Sequence, residues 1–304
     1  MSHDHAHAAP GKGGRFVAGI ALNLVIVAGE LAAALIGNST ALLADAGHNL
    51  TDVLSLVLAG GAVWLARRPA NSKRTYGFRR ATILAALANA LLLIIMSVAL
   101  AWECARRLFA SSAVDESLVI AVAAVAVVAN TATALLFARG RKQDLNVRGA
   151  FLHMLSDAAL SGGVILAGVG ILLTGWEWLD PLMGLIIVAV ILWSTWTLLR
   201  ESFDLSLDAV PPGIDPGAIR AALLESPEIT EVHHLHVWAM STTEVALTAH
   251  LVKPDGTLDD ALLARLEKRL HERFDIRHIA LQLECGDTDS PCPAGDTQNP
   301  RASG

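Results

Sequence analysis

The sequence predicts an α-helical membrane protein, with six transmembrane helices followed by a small α+β domain of order α-β-β-α-β. Three observations predict it. The 304-residue chain is 53% hydrophobic and only 17% charged, and its mean hydropathy of +0.49 is too high for an ordinary soluble domain. Six apolar segments are each long enough to cross a bilayer, which takes about 20 residues. Beyond about residue 205 the chain turns more polar, and short runs of helix and strand periodicity replace the long apolar ones.

The spans are expected near residues 16–37, 41–66, 81–103, 116–138, 148–174 and 180–200. The opening, MSHDHAHAAPGKGG, does not read as a signal peptide, because the apolar run after it is too long and contains Asn23 and Glu30. Residues 1–15 are expected to be a flexible leader. Its HDHAH string is either a weak, fast-exchanging metal collector or has no role. The first and last connections are tiny, GNST and TGWEWLD. The second, RRPANSKRTYGFRR, carries Arg67, Arg68, Lys73, Arg74, Arg79 and Arg80. The fourth carries Arg139, Arg141, Lys142 and Arg148, whereas Arg106 and Arg107 of the third are offset by Glu103, Asp115 and Glu116. Positive residues mark the cytoplasmic side, so connections two and four, and both termini, are expected there. Trp176 and Trp178 would lie at the outer interface and Trp64 near the inner one.

AVPPGIDP is a natural linker. DPGAIRAALLES then reads as a helix, with Asp215 as N-cap and Pro216 at its first position. EVHHLHVWAM and TEVALTAHLV read as alternating strands, a helix follows at about 258–273, and HIALQLE (278–284) is the last strand. This order suggests a small open sheet with helices on one face. The Pro/Gly-rich tail reads as disordered. The expected layout is therefore a leader (1–15), a transmembrane domain (16–205), a C-terminal domain (206–286) and a tail (287–304). Cys104, Cys285 and Cys292 are too widely spaced to form a framework, and the modest net charge of −6 gives no reason to invoke nucleic acid.

Two strings carry the chemistry: HNLTD at His48–Asp52 and HMLSD at His153–Asp157, each within an apolar run. Residues i and i+4 of a helix share a face about one turn apart. A carboxylate in hydrocarbon costs on the order of 3 kcal/mol or more, so the two carboxylates, and the polar imidazoles beside them, need partners. Two imidazoles and two carboxylates make a tetrahedral set for a divalent metal, zinc above all. The bland alternative is a His–Asp pair on each helix that serves interhelical hydrogen bonds. Metal binding requires neutral imidazoles, so protons compete with metal, and that competition is an exchange mechanism in itself. The chain also halves, with one His-x-x-x-Asp on the middle helix of each half, as in transporters whose site lies between repeats.

Asp45, one turn before His48, is open to two readings: a relay for protons or metal, or a helix cap after the GNST turn. Glu30 and Asn23 share a face of the first helix and are expected to pack against polar neighbours. Gly162 and Gly163 are expected to allow close helix contact. In the C-terminal domain His233, His234 and His236 crowd one strand and His250 lies on the next. His278 and Glu284 bracket the last strand, and His271 lies on the second helix. These residues form either a second metal site or an ordinary histidine-rich surface.

With these residues in view, the chain resembles the cation diffusion facilitators, particularly their bacterial zinc and cadmium exporters. The matching strings are LLADAGHNLTD, the RTYGFRR–ILAAL stretch, LNVRGAFLHMLSD, VHHLHVW, LTAHLV and HIALQLE, which span about residues 15–286. The resemblance implies a homodimer of six-helix protomers in the bacterial inner membrane, with a cytoplasmic metallochaperone-like domain. It implies proton-coupled zinc efflux by alternating access, with zinc as transported substrate and regulatory ligand and no catalytic residue or cofactor. The transport ligands would fall on His48, Asp52, His153 and Asp157, and the cytoplasmic ligands on His233, His250, His278 and Glu284. The second connection has no histidine or acidic residue, so the additional loop site of some members is expected to be missing. Thr82 stands where relatives often have glutamate, and the fourth connection lacks the histidine-rich loop of many eukaryotic members. Manganese-type members would carry Asp-x-x-x-Asp instead. The closest rival within the class is a cadmium, cobalt or iron exporter with the same site, and two rivals come from other classes. An intramembrane metalloenzyme would need an open ligand position and the HExxH motif, which the sequence lacks. A membrane metal sensor would bind without flux.

Overall fold

The computed structural model describes residues 12–109, 113–138 and 145–285. Six long helices come first: α1 (Lys12–Ile36), α2 (Thr40–Ala66), α3 (Ala81–Phe109), α4 (Glu116–Ala138), α5 (Leu145–Thr174) and α6 (Leu179–Ser206). Five of them are long and apolar enough to cross a membrane by their described residues, and α1 adds the apolar stretch Leu24–Ile36. At 1.5 Å per residue, the 27 residues of α2 span about 40 Å, enough for the hydrocarbon core with some tilt. The expected starts hold closely at α2, α3, α4 and α6. The ends of α3 and α6 run about six residues beyond the expected bounds. Glu103, Arg106 and Arg107, and then Arg200 and Glu201, are polar but good helix formers, so the helix outlasts its apolar run.

The chain forms two compact units, one of residues 1–60 with 88–198 and one of 61–87 with 199–304. In the first, α4 packs along α5 and touches α1. Its interior is built from small residues such as Ala33, Ala34, Ala41, Ala44 and Ala123 around Leu42 and Ile187. Many large apolar side chains point outward instead, among them Trp193, Leu173 and Ile36. That inversion suits lipid, where small residues let helices approach closely. Gly163 shows the effect, since a Cβ there would lie 2.5 Å from Met183 on α6, whereas Gly162 faces open space. Asp180 of α6 secures the N-terminus of α2. It accepts from Thr40 N and Thr40 Oγ1, both at 2.6 Å, from Ala41 N at 3.3 Å, and from Ser39 Oγ. An N-terminus leaves four amides without helical partners and carries positive dipole charge, so a buried carboxylate satisfies both needs.

The second unit contains α7 (Pro216–Leu224), β1 (Glu231–Ala239), β2 (Val245–Val252), α8 (Asp260–Phe274) and β3 (His278–Glu284), in the expected order. Asp215 caps α7 by accepting from Gly217 N at 2.9 Å, and Asp259 caps α8 by accepting from Leu262 N at 2.8 Å. Leu262, Leu266 and Leu270 recur every four residues on α8 and are fully buried. They pack with Ile219 and Leu223 of α7 against Val232, Val237, Leu247 and Leu251 of the sheet. Arg273 ties the helices together by donating to Glu225 Oε1 at 2.6 Å, which holds that carboxyl below its usual range. β2 is the central strand, antiparallel to β1 and parallel to β3.

β1 is not the simple alternating strand expected. A bulge lies between His233 and His236, with His234 at φ 48°. Before the bulge the buried residue is even-numbered (Val232), and after it the buried residues are odd-numbered (Val237, Ala239). The extra residue resets the pleat, which keeps valines on the core side both before and after it.

Candidate metal centres

The first centre lies in the helical unit. His48 and Asp52 are one turn apart on α2, as the spacing requires, and His48 Nε2 is 3.8 Å from Asp52 Oδ2. Asp157 of α5 completes the group, its Oδ1 3.6 Å from His48 Nε2. One donor atom from each of the three lies within 4.8 Å of the others. Zinc bonds of about 2.0–2.2 Å set tetrahedral donors roughly 3.3–3.6 Å apart, a range that the two distances from His48 Nε2 already approach. Asp157 is 3% exposed, against 16% for His48 and 24% for Asp52, so access to the group comes from the α2 side. His153 lies one turn before Asp157 on α5, and its side chain lies outside the described residues.

Polar groups surround the centre. Asp45 is fully buried and accepts from Ser161 Oγ of α5 at 2.6 Å. The cap reading of Asp45 is corrected: α2 begins at Thr40, so Asp45 lies in its second turn, and Ser39 and Asp180 do the capping. Glu30 of α1 is fully buried and accepts from Asn49 Nδ2 at 2.9 Å, which bears out its packing against a polar neighbour. The Asn23 side chain and the HDHAH string lie outside the described residues. Sequence reasoning passed over Asn49 and Ser161. Each is a polar residue in an apolar run, one directly after His48 and the other one turn after Asp157, and that position is the signal that could have found them.

The second centre lies on the sheet. Cross-strand pairing sets His233 of β1 opposite His250 of β2. Parallel pairing carries Glu284 to the same end of β3, opposite Val252. Glu284 bridges both rings, its Oε2 3.0 Å from His233 Nε2 and its Oε1 2.7 Å from His250 Nδ1. The three are half-buried, and their donors fall within 4.8 Å of one another. His234, thrown out by the bulge, packs within 5.2–5.4 Å of the His233 and His250 rings. Two imidazoles and a carboxylate on a rigid sheet fit a borderline divalent metal such as zinc.

His278 does not join this group, contrary to expectation. It starts β3 opposite Ala246, six residues before Glu284, or about 20 Å at strand rise. Its Nε2 lies 2.5 Å from Arg79 Nη1, and a guanidinium there repels a cation. His271 is exposed on α8, 3.9 Å from Asp275.

Comparison with known proteins agrees with this architecture. A family model described as the cation efflux transmembrane domain matches residues 16–205. A second, the cation efflux protein cytoplasmic domain, matches residues 211–285. The chain is 33% identical over 298 residues to the metal cation efflux system protein CzcD of Cupriavidus metallidurans, covering 97% of this chain and 93% of that protein. It is 32% identical over 305 residues to the zinc transporter ZitB of Escherichia coli, covering 97% and 95%. It is 31% identical over 314 residues to the cadmium, cobalt and zinc/H(+)-K(+) antiporter of Bacillus velezensis, covering 99% and 98%. Both domain models in order, and relatives matched almost end to end, place this chain in the cation efflux (cation diffusion facilitator) family of membrane transporters, not among enzymes.

Proposed function

We propose that the chain exports zinc, and cadmium with it, from the cytoplasm in exchange for protons. The transport site is His48, Asp52, His153 and Asp157, exposed alternately to the two sides of the membrane. The observation that carries this reading is the convergence of His48, Asp52 and Asp157 from two apolar helices within 4.8 Å. A structural pairing of helices needs one hydrogen bond, not three metal-type donors. Relatives named as zinc transporters and as a cadmium, cobalt and zinc antiporter support the choice of substrate.

The direction of exchange follows from protonation. An imidazole must lose its proton before it can bind metal, so low pH on one side empties the site there and high pH fills it. The arginine- and lysine-rich connections argue that both termini, and the domain after α6, face the cytoplasm of a bacterial inner membrane. There His233, His250 and Glu284 would hold a resident zinc, supplying a charge that draws β1, β2 and β3 together at one end. The cytoplasmic-domain match supports pairing of two protomers through that domain.

The test is flux in proteoliposomes carrying a trapped pH dye. Zinc-loaded vesicles with an acidic exterior should lose zinc and acidify inside, and a His153→Ala protein should do neither. Zinc flux that ignores the pH gradient and moves no protons would refute the antiport. An absence of zinc flux under any gradient would refute export.

A further inference from the structure

The connection from α2 to α3, residues 67–80, carries six cationic side chains and no acidic one. A cavity of about 720 Å³ opens between it and the turn joining β1 to β2, all within the second compact unit. Its wall holds Arg67, Arg68 and Arg79 and one carboxylate, Glu244. Arg79 and Glu244 neutralise each other, Nη1 donating to Oε2 at 2.6 Å. The cavity therefore keeps the charge of Arg67 and Arg68. Arg68 is held over the Trp64 ring, 4.3 Å from its centroid, which limits its motion. Hydroxyls of Thr75, Ser241 and Thr243 share the wall.

Planar guanidinium forks with hydroxyls beside them are the donor set that takes phosphate oxygens. The rim adds a second character. Val63 of the wall, near the end of α2, is 45% exposed; Tyr76 of the wall, on the connection, is 61% exposed; and Trp64, next to Val63 and beneath Arg68, is 62% exposed. Exposed Trp and Tyr at that position mark the headgroup level of a bilayer. A free phosphate would use the arginines and leave this apolar rim bare. A phospholipid would use both, and a cavity of this volume accommodates its headgroup.

We propose that this cavity binds the headgroup of an anionic phospholipid, with Arg67 and Arg68 taking the phosphate and Val63, Trp64 and Tyr76 seating the glycerol and first acyl carbons. A choline headgroup brings its own cation against the two arginines and is disfavoured. The bound lipid would tie the α2–α3 connection to the membrane surface.

The test is lipid titration of the delipidated full-length protein followed by native mass spectrometry. Phosphatidylglycerol, phosphatidylcholine and inorganic phosphate are the probes. The wild type should retain phosphatidylglycerol in preference to phosphatidylcholine, and millimolar phosphate should not displace it. Arg67→Gln with Arg68→Gln should weaken phosphatidylglycerol binding roughly 150-fold, at about 12-fold for each charge-assisted hydrogen bond to the phosphate that is lost. Lys73→Gln with Arg74→Gln removes the same charge from the same connection outside the cavity wall, so no hydrogen bond to the phosphate is lost, and at physiological ionic strength, where exposed charge is screened, binding should change by no more than about twofold. Equal retention of the two lipids overturns the proposal, and so does equal loss in both double variants, which would mean diffuse surface charge. Displacement by inorganic phosphate also overturns it and assigns the cavity to a soluble phosphate.

Discussion

Asp157→Ala is the sharpest perturbation of the transport centre. The side chain is 3% exposed, and its Oδ1 lies 3.6 Å from His48 Nε2. Alanine removes one of three converging donors, and with so little exposure no water takes the vacated place readily. A four-ligand zinc site is worth about 10–16 kcal/mol, so an average ligand carries about 2.5–4 kcal/mol. At the lower figure the dissociation constant rises roughly 70-fold. The fold should survive, because alanine is the best helix former and an acid leaving an apolar segment takes its burial cost with it. The assays are zinc calorimetry on the purified protein and flux in proteoliposomes. Flux should fall to background at ordinary zinc levels and return only at about 100-fold higher zinc. Asp157→Asn keeps an oxygen donor without the charge and should fall between wild type and alanine. A stably folded alanine variant with near-normal flux would refute the site.

Other outcomes follow from the same geometry. His48→Asp replaces a borderline ligand by a hard one and should relax selectivity towards manganese; competition assays that show an unchanged zinc preference would mean that His48 does not set it. His250→Ala with Glu284→Gln leaves only His233 of the sheet cluster, so one zinc equivalent should disappear from equilibrium dialysis of the full chain, and an unchanged stoichiometry would leave the cluster as surface histidines. In a fragment from residue 208, zinc at 100 times its dissociation constant should stabilise the domain by about 2.7 kcal/mol, read as a rise in Tm. Asp180→Ala unseats the N-terminus of α2, leaving the buried Thr40 amide and hydroxyl without their acceptor, and should cost about 3 kcal/mol in detergent unfolding; a loss under about 1 kcal/mol would demote Asp180 to a minor contact.

What the sequence determined by itself is whatever repeats within a few residues. Six apolar runs of bilayer length specify six helices, and the i, i+4 spacing puts His48 beside Asp52 before any packing is known. The caps at Asp215 and Asp259, and the leucine stripe of α8, are equally local, since a side chain there meets its own backbone or its own helix face. Tertiary structure decided the pairings. Nothing near Asp45 in sequence says that Ser161, far along the chain, donates to it, and nothing near Asp180 says that it holds the start of α2. The same holds for His278. The family resemblance put it with His233, His250 and Glu284, but parallel register sends it to the other end of β3 and hands it to Arg79. The bulge in β1 changes which histidines face outward, because one extra residue inverts a period of two. Short-range periodicity is written in consecutive residues. Register and helix contact are chosen by the whole core at once, so no single stretch of chain contains them.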